Sequence, residues 1–229
     1  IRLGLASALI DSYVGENIVE GLTIIDGLKL SGNKKVVPFA YYYEAMALMT
    51  QSSFLAVQVN VELAKEKLSK ALESVTRAIE LEEEAKKINE FYFLKADILH
   101  RLYTFTQDRN LLNSAISAYR TIIASGNDEN AAQVKAVLGL SARARDLQEA
   151  REINSALELV NAEIEKINSE YDAGEESMRT LDPYFLQLSI EKARLQAIVL
   201  PESSMIERLT PIISGVETGR LRGSFKKIN

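Results

Sequence analysis

A motif that returns along the chain limits its architecture more than any other feature. Gly21-Leu22-x-x-Ile25-x-x-Leu28 recurs as Ala71-Leu72-x-x-Val75-x-x-Ala78 and as Ala115-Ile116-x-x-Tyr119-x-x-Ile122. Between these copies, Tyr41-x-x-x-Ala45-x-x-Leu48 recurs as Tyr92-x-x-x-Ala96-x-x-Leu99, with Gly139 and Ala142 marking a fainter third copy. Spacings of three and four residues put each set on one face of a helix. A small residue at each crossing lets two antiparallel helices approach closely, while the large residue a turn away fills the space beside it. The repeating unit is therefore a helical hairpin. One hairpin cannot bury its apolar face alone, so successive hairpins stack around a continuous core.

The punctuation between motifs agrees. Only 11 Gly and 4 Pro occur among 229 residues, so turns are scarce and helices long. Periodicity predicts about ten helices. The first covers 1–13 and stops before Gly15; the second covers 16–30 and stops at Ser31-Gly32-Asn33. The third opens at Pro38, whose missing N–H is harmless in a first turn, and ends near Thr50. In "FLAVQVNVELAKEKL", Val57, Val59 and Val61 alternate with polar residues as a strand would, yet a lone strand has no partner. Residues 51–64 thus stand open between loop, strand and helix, the preferred reading being loop to Ser53 and then one long helix to Lys87.

Further helices are expected over 88–104, over 109–125 behind the Asp108 cap, and over 129–144. Another covers 146–170, where Leu147, Ala150, Ile153, Leu157, Val160, Ile164 and Ile167 form one stripe. After the breaker "DAGEES", Asp182-Pro183 opens a ninth helix that Pro201 ends, and a tenth begins near Ser203 with a kink at Pro211. The expected fold class is all-α, with 1–215 as a single helical-repeat domain and the basic 216–229 as a loosely tied tail.

The small–aromatic–small patterns in "ALESVTRAIEL" and "AISAYRTII" resemble the second helix of the tetratricopeptide repeat family. Tyr41 and Tyr92 stand where that family carries tryptophan, and Ala45 and Ala96 where it carries glycine. The copies at 21, 71 and 115 are spaced more widely than the family's repeat of about 34 residues. The resemblance implies a right-handed superhelical stack of hairpins whose first helices line a concave surface. It also implies a role in assembly, secretion or transport complexes.

Composition removes several other functions. The net charge is −5 and the pI 5.2, which gives no basic surface for a phosphate backbone and argues against nucleic acid. With no cysteine and a single histidine, His100, thiolate chemistry, zinc–thiolate sites and multi-histidine metal sites have no ligands. Asp97 and His100 share a helix face, but two ligands do not make a metal site. No cofactor is expected. No apolar run reaches the length of a transmembrane segment. A first residue of Ile and the lack of cysteine lean toward a trimmed exported or periplasmic chain; a cytoplasmic chain is the alternative. An oligomeric state does not follow from the sequence.

"YYYEAMALM" supplies the candidate site. Three adjacent residues on a helix point about 100° apart, so Tyr41, Tyr42 and Tyr43 cannot share one core. If Tyr41 packs with Ala45 and Leu48, Tyr42 or Tyr43 faces a partner or water. The same holds for Phe91, Tyr92 and Phe93 and for Tyr184-Phe185. Tyr42, Tyr43, Glu44, Tyr92, Lys95 and Tyr184 are therefore the candidate binding residues, aromatics giving contact area and charges giving orientation. Arg101 and Asp97 are polar companions. The expected function is a non-enzymatic scaffold for a protein or peptide partner. The alternative is a carrier enclosing an apolar small molecule as an accessory to a transport system.

Overall fold

The computed structural model describes residues 1–82, 85–126, 131–170 and 183–199. Among these residues it is all-helical, with nine helices and no strand. The helices are α1 Arg2–Asp11, α2 Gly15–Lys29, α3 Val37–Val57, α4 Val61–Leu81, α5 Ala85–Thr106, α6 Arg109–Ala124, α7 Ala132–Leu147, α8 Ala150–Glu170 and α9 Pro183–Val199. The chain divides into two compact units, Ile1–Ala132 and Gln133–Asn229. The expected tenth helix, the Asp182 cap, "DAGEES" and the basic 216–229 segment lie outside the described residues.

In the first unit, neighbouring helices in the chain are neighbours in space. The repeat motif marks the crossings: Ala71, Ala115, Ala45 and Ala96 are buried, as are Ile25, Val75, Tyr119, Leu48 and Leu99 beside them. Gly21 shows why the position must be small. A Cβ there would lie 3.1 Å from the Ile10 side chain and 3.2 Å from the Ala6 carbonyl oxygen of α1, tighter than ordinary contact. One core cluster joins α3, α4 and α5 through Ala45, Leu68, Val75, Phe91 and Ile98. A second joins α1, α2 and α3 through Ala6, Ile10, Ile18, Ile25, Ala40 and Ala47. Because α3 contributes to both, it is apolar nearly all round.

The joints after α1, α3, α5 and α7 share one design. At each the chain turns through a single residue of left-handed backbone: Tyr13, Val59, Gln107 and Gln148, with φ of 55°, 62°, 57° and 58°. Around Val59 the amide of Asn60 donates to the Leu55 carbonyl at 2.9 Å and that of Val59 to the Ala56 carbonyl at 3.1 Å. These two bonds close α3 in the manner that normally employs glycine at the Val59 position. Asn60 then caps α4 by accepting from the Leu63 amide, as Asp108 caps α6 by accepting from the Asn110 amide.

This joint corrects the reading of residues 51–64. α3 runs on to Val57 without a loop at 51–53, because Ser52 is buried and the Ser53 hydroxyl donates back to the Met49 carbonyl. Val57 and Val59 are 84% and 83% exposed, so their alternation marks a helix end and turn rather than a strand. α4 ends at Leu81 instead of Lys87, with Glu82 already extended. Glu80 and Glu82 sit at the negative end of the α4 dipole, where carboxylates favour stopping. α7 continues to Leu147 and α8 starts at Ala150, so the stripe expected over 146–170 is divided by the Gln148 joint. Ile153, Val160 and Ile167 remain its buried part, together with Ala156.

Val59 is β-branched, and the left-handed region costs such residues about 1–2 kcal/mol. Its side chain buries almost nothing in return. Val59→Gly should therefore raise stability by about 1 kcal/mol, part of the relief being offset by glycine's freer unfolded chain. The check is the urea midpoint of the variant; a midpoint at or below that of the parent would show that the turn carries no strain.

In the second unit, α8 packs against α9. α7 buries Ala136, Val137, Leu140 and Ala144, whereas Gly139 and Ala142 are half-buried. The faint third copy of the motif thus lies off the most buried face of its helix. From α7, Arg145 reaches the buried Glu191 of α9, its Nε donating at 2.6 Å and its Nη2 at 3.4 Å.

Candidate functional site

The consecutive aromatics each take a different neighbour, as their angular spacing requires. Tyr41 and Tyr42 pack against the α3–α4–α5 cluster, while Tyr43 packs against the α1–α2–α3 cluster. The Tyr42 ring stacks on Phe91 at 4.9 Å and meets Tyr43 edge-on at 5.2 Å. On α5, Phe91 turns into the same core, Phe93 meets Tyr119 of α6 at 6.1 Å, and Tyr92 faces a cleft. Tyr184 is half-buried on α9 in the second unit. The structure therefore separates the candidate residues: Tyr92 and Lys95 stand together, whereas Tyr42, Tyr43 and Glu44 are engaged elsewhere in the first unit.

Glu44 closes a groove that α2 and α4 form over α3. Its Oε1 accepts from Lys29 Nζ at 2.6 Å and its Oε2 from the Ser74 hydroxyl at 2.9 Å. Lys29 also pairs with Asp26 at 2.8 Å and lies 5.4 Å from the centre of the Tyr41 ring. Arg101, the other polar companion, donates from α5 to Ser53 of α3 at 2.8 Å.

Among the groups of this first unit whose proton affinity is shifted, Lys29 and Tyr42 are the partly buried ones. Burial opposes the Lys29 charge, but hydrogen bonds to Asp26 and Glu44 and the attraction of both carboxylates outweigh it, holding its pKa above the ordinary lysine range. Burial first, then the nearby Glu90 carboxylate, the Tyr43 phenol oxygen and the Asp11 carboxylate, pushes the Tyr42 phenol well up. In both cases the native state keeps a proton that the unfolded chain releases from about pH 10 upward, so stability is fully present below that pH and falls as pH rises. Tyr42→Phe should flatten the decline between about pH 10 and 11 while leaving neutral stability nearly unchanged. Urea midpoints measured at stepped alkaline pH decide it, and parallel declines in parent and variant would refute the assignment to Tyr42.

The cleft that Tyr92 faces has a volume of about 470 Å³ and is half open to solvent. α5 forms its floor with Tyr92, Lys95 and Leu99; α4 forms one wall with Leu72 and Thr76; α6 forms the other with Ser114, Ser117, Ala118 and Thr121. The floor residues follow i, i+3, i+7 spacing, so two successive turns of α5 place all three in the cleft. The α6 wall is small and hydroxylic, which leaves the space between α4 and α6 unfilled. Thr121 donates to the Ser117 carbonyl of its own helix at 3.1 Å. Lys95 makes no hydrogen bond or ion pair with any described residue. The described lining holds one cation and five hydroxyl groups, with no carboxylate and no imidazole. Such a set can orient a bound group through one ammonium and several hydroxyls.

Comparison with protein-family models, with curated proteins and with solved structures gives no match. The functional reading therefore rests on the geometry above. Of the residues that the sequence singled out, Tyr92 and Lys95 line the cleft, both from the aromatic run on α5. The α6 wall went unmarked, because Ser114, Ser117 and Thr121 are individually unremarkable and become a lining only when α4 and α6 flank α5. No helix among the described residues is long and apolar enough to cross a membrane.

Proposed function

We propose that this protein is a non-enzymatic scaffold of tetratricopeptide-like helical hairpins, and that it holds a segment of a partner protein in the α4–α5–α6 cleft. The carrying observation is the cleft itself: a half-open space of about 470 Å³ between three helices, with apolar floor and wall residues and a ring of hydroxyl groups. Sites for small ligands and short segments have this mixed lining. Helix-packed walls keep such a site preformed, which lowers the ordering cost of binding.

A photoreactive amino acid placed at Ser117 in the cleft, with a second version at Glu20 on the exposed face of α2, tests this in extract of the source organism. Discrete polypeptide adducts at Ser117 that are missing at Glu20 are the expected result. Equal labelling at both positions, or a small organic molecule retained by the chain in native mass spectrometry without polypeptide adducts, would overturn it; the latter result would favour the carrier.

A further inference from the structure

The repeat allows the occupied groove over α3 to be compared with the open cleft over α5. In register, Tyr92 matches Tyr41, Lys95 matches Glu44 and Leu99 matches Leu48. On the flanking helices, Ile79 of α4 matches Lys29 of α2, and Ala118 of α6 matches Ser74 of α4. The first groove thus contains a complete set: a carboxylate from the floor helix, with an ammonium from one wall at 2.6 Å and a hydroxyl from the other at 2.9 Å from its two oxygens. The second groove has kept a single charge, and its sign is reversed. Lys95 has no carboxylate there, and both wall residues that could have answered it are apolar.

We propose that the α4–α5–α6 cleft recognises an acidic segment of a partner protein, one side-chain carboxylate of which takes the Lys95 ammonium as Glu44 takes Lys29 in the preceding groove. This rests on the scaffold reading and adds its chemistry. Lys95 is a half-buried residue with no carboxylate in the cleft lining, and a carboxylate brought by a ligand supplies the charge-assisted bond that the first groove makes internally. The hydroxyls of Thr76, Ser114 and Ser117 can donate to the second carboxylate oxygen or accept from ligand amides. Leu72, Leu99 and the Tyr92 ring take an apolar side chain beside it. The lining spans eight residues along α5 and along α6, about 10 Å of helix rise, which is the reach of three extended residues. A tripeptide that sets an acid beside an apolar residue therefore fits the length and the chemistry, and Glu-Leu-Glu offers the single Lys95 cation a carboxylate on either side of the apolar residue. The chain's net charge of −5 opposes approach of such a segment at long range, so binding should strengthen as moderate salt screens that field.

The experiment is a titration of the ¹⁵N-labelled full chain with acetyl-Glu-Leu-Glu-amide, followed by amide shifts. Saturable shifts at Lys95, Leu99, Ser114 and Ser117 in the sub-millimolar range are expected, with acetyl-Gln-Leu-Gln-amide binding at least about tenfold more weakly. Lys95→Glu should lose the acidic peptide and gain acetyl-Lys-Leu-Lys-amide, an exchange that a purely structural role for Lys95 would not produce. Equal binding of the glutamine peptide, an unchanged preference in Lys95→Glu, or sodium acetate reproducing the same shifts at the same concentration would each overturn the proposal. Polypeptide adducts at Ser117 persisting alongside any of those results would leave the scaffold standing and remove only its preference for acids.

Discussion

Phe91→Ala lowers the stability of the Ile1–Ala132 unit by about 3–5 kcal/mol, the range for truncating a fully buried aromatic. The ring is 0% exposed and stands where α3, α4 and α5 meet. Phe39 approaches it edge-on at 5.4 Å with 77° between planes, and Tyr42 stacks on it at 4.9 Å with 29° between planes. Aromatic pairs of this kind add about 0.5–1.5 kcal/mol to area burial. The walls of the resulting hole are three helices fixed by Leu68, Val75 and Ile98, which cannot collapse without shifting the small-residue crossings at Ala45 and Ala71. Phe91→Leu keeps most of the volume and should lose only about 1–2 kcal/mol. Amide exchange of α4 and α5, read residue by residue, separates this unit from the second. A loss below 1 kcal/mol for the alanine variant would mean that the three helices do not share a single packed centre.

Glu191→Ala destabilises the second unit by about 2–4 kcal/mol, toward the lower part of the range for breaking a buried ion pair. Glu191 has a side chain 6% exposed, and its two oxygens take Arg145 Nε at 2.6 Å and Arg194 Nη1 at 3.5 Å. Arg145 is 29% exposed, so part of its charge returns to water when the carboxylate is lost, which moderates the penalty. Arg194 is 60% exposed and contributes little. The pair joins α7 to α9, and its expense lies mainly in removing the carboxylate from water. Combining Arg145→Met with Glu191→Leu should therefore recover most of what either single change loses. A double variant as unstable as the sum of the two singles would show that the charges act independently.

Much of the architecture was legible because helix packing writes itself into the chain as a period. The small residues at 21, 71 and 115 and at 45 and 96 are needed at crossings, and nothing else explains a small residue beside a large one at fixed offsets. Asp108 as the start of α6 was equally plain, since a capping side chain acts on its own next turn. Val59 deceived for the opposite reason. A glycine there would have announced the end of α3, whereas a valine in the same left-handed position reads as a strand residue. Lys95 and Glu44 both appeared as polar residues beside aromatics, and only the wall helices distinguish them. Whether a charge is answered depends on Lys29, Ser74, Ile79 and Ala118, which are distant in sequence and become partners through stacking.

Each joint after α1, α3 and α5 needs only two or three residues to reverse the chain. Contacts in the first unit are consequently made soon after their residues enter the chain, and little entropy is spent on closing long loops. Such a polypeptide should reach its native form quickly, with α3, α4 and α5 gathering first around their shared rings and α1 and α2 settling on them afterwards. Unfolding would run in reverse, so the α1–α2 end would be nicked by protease before the middle of the unit yields.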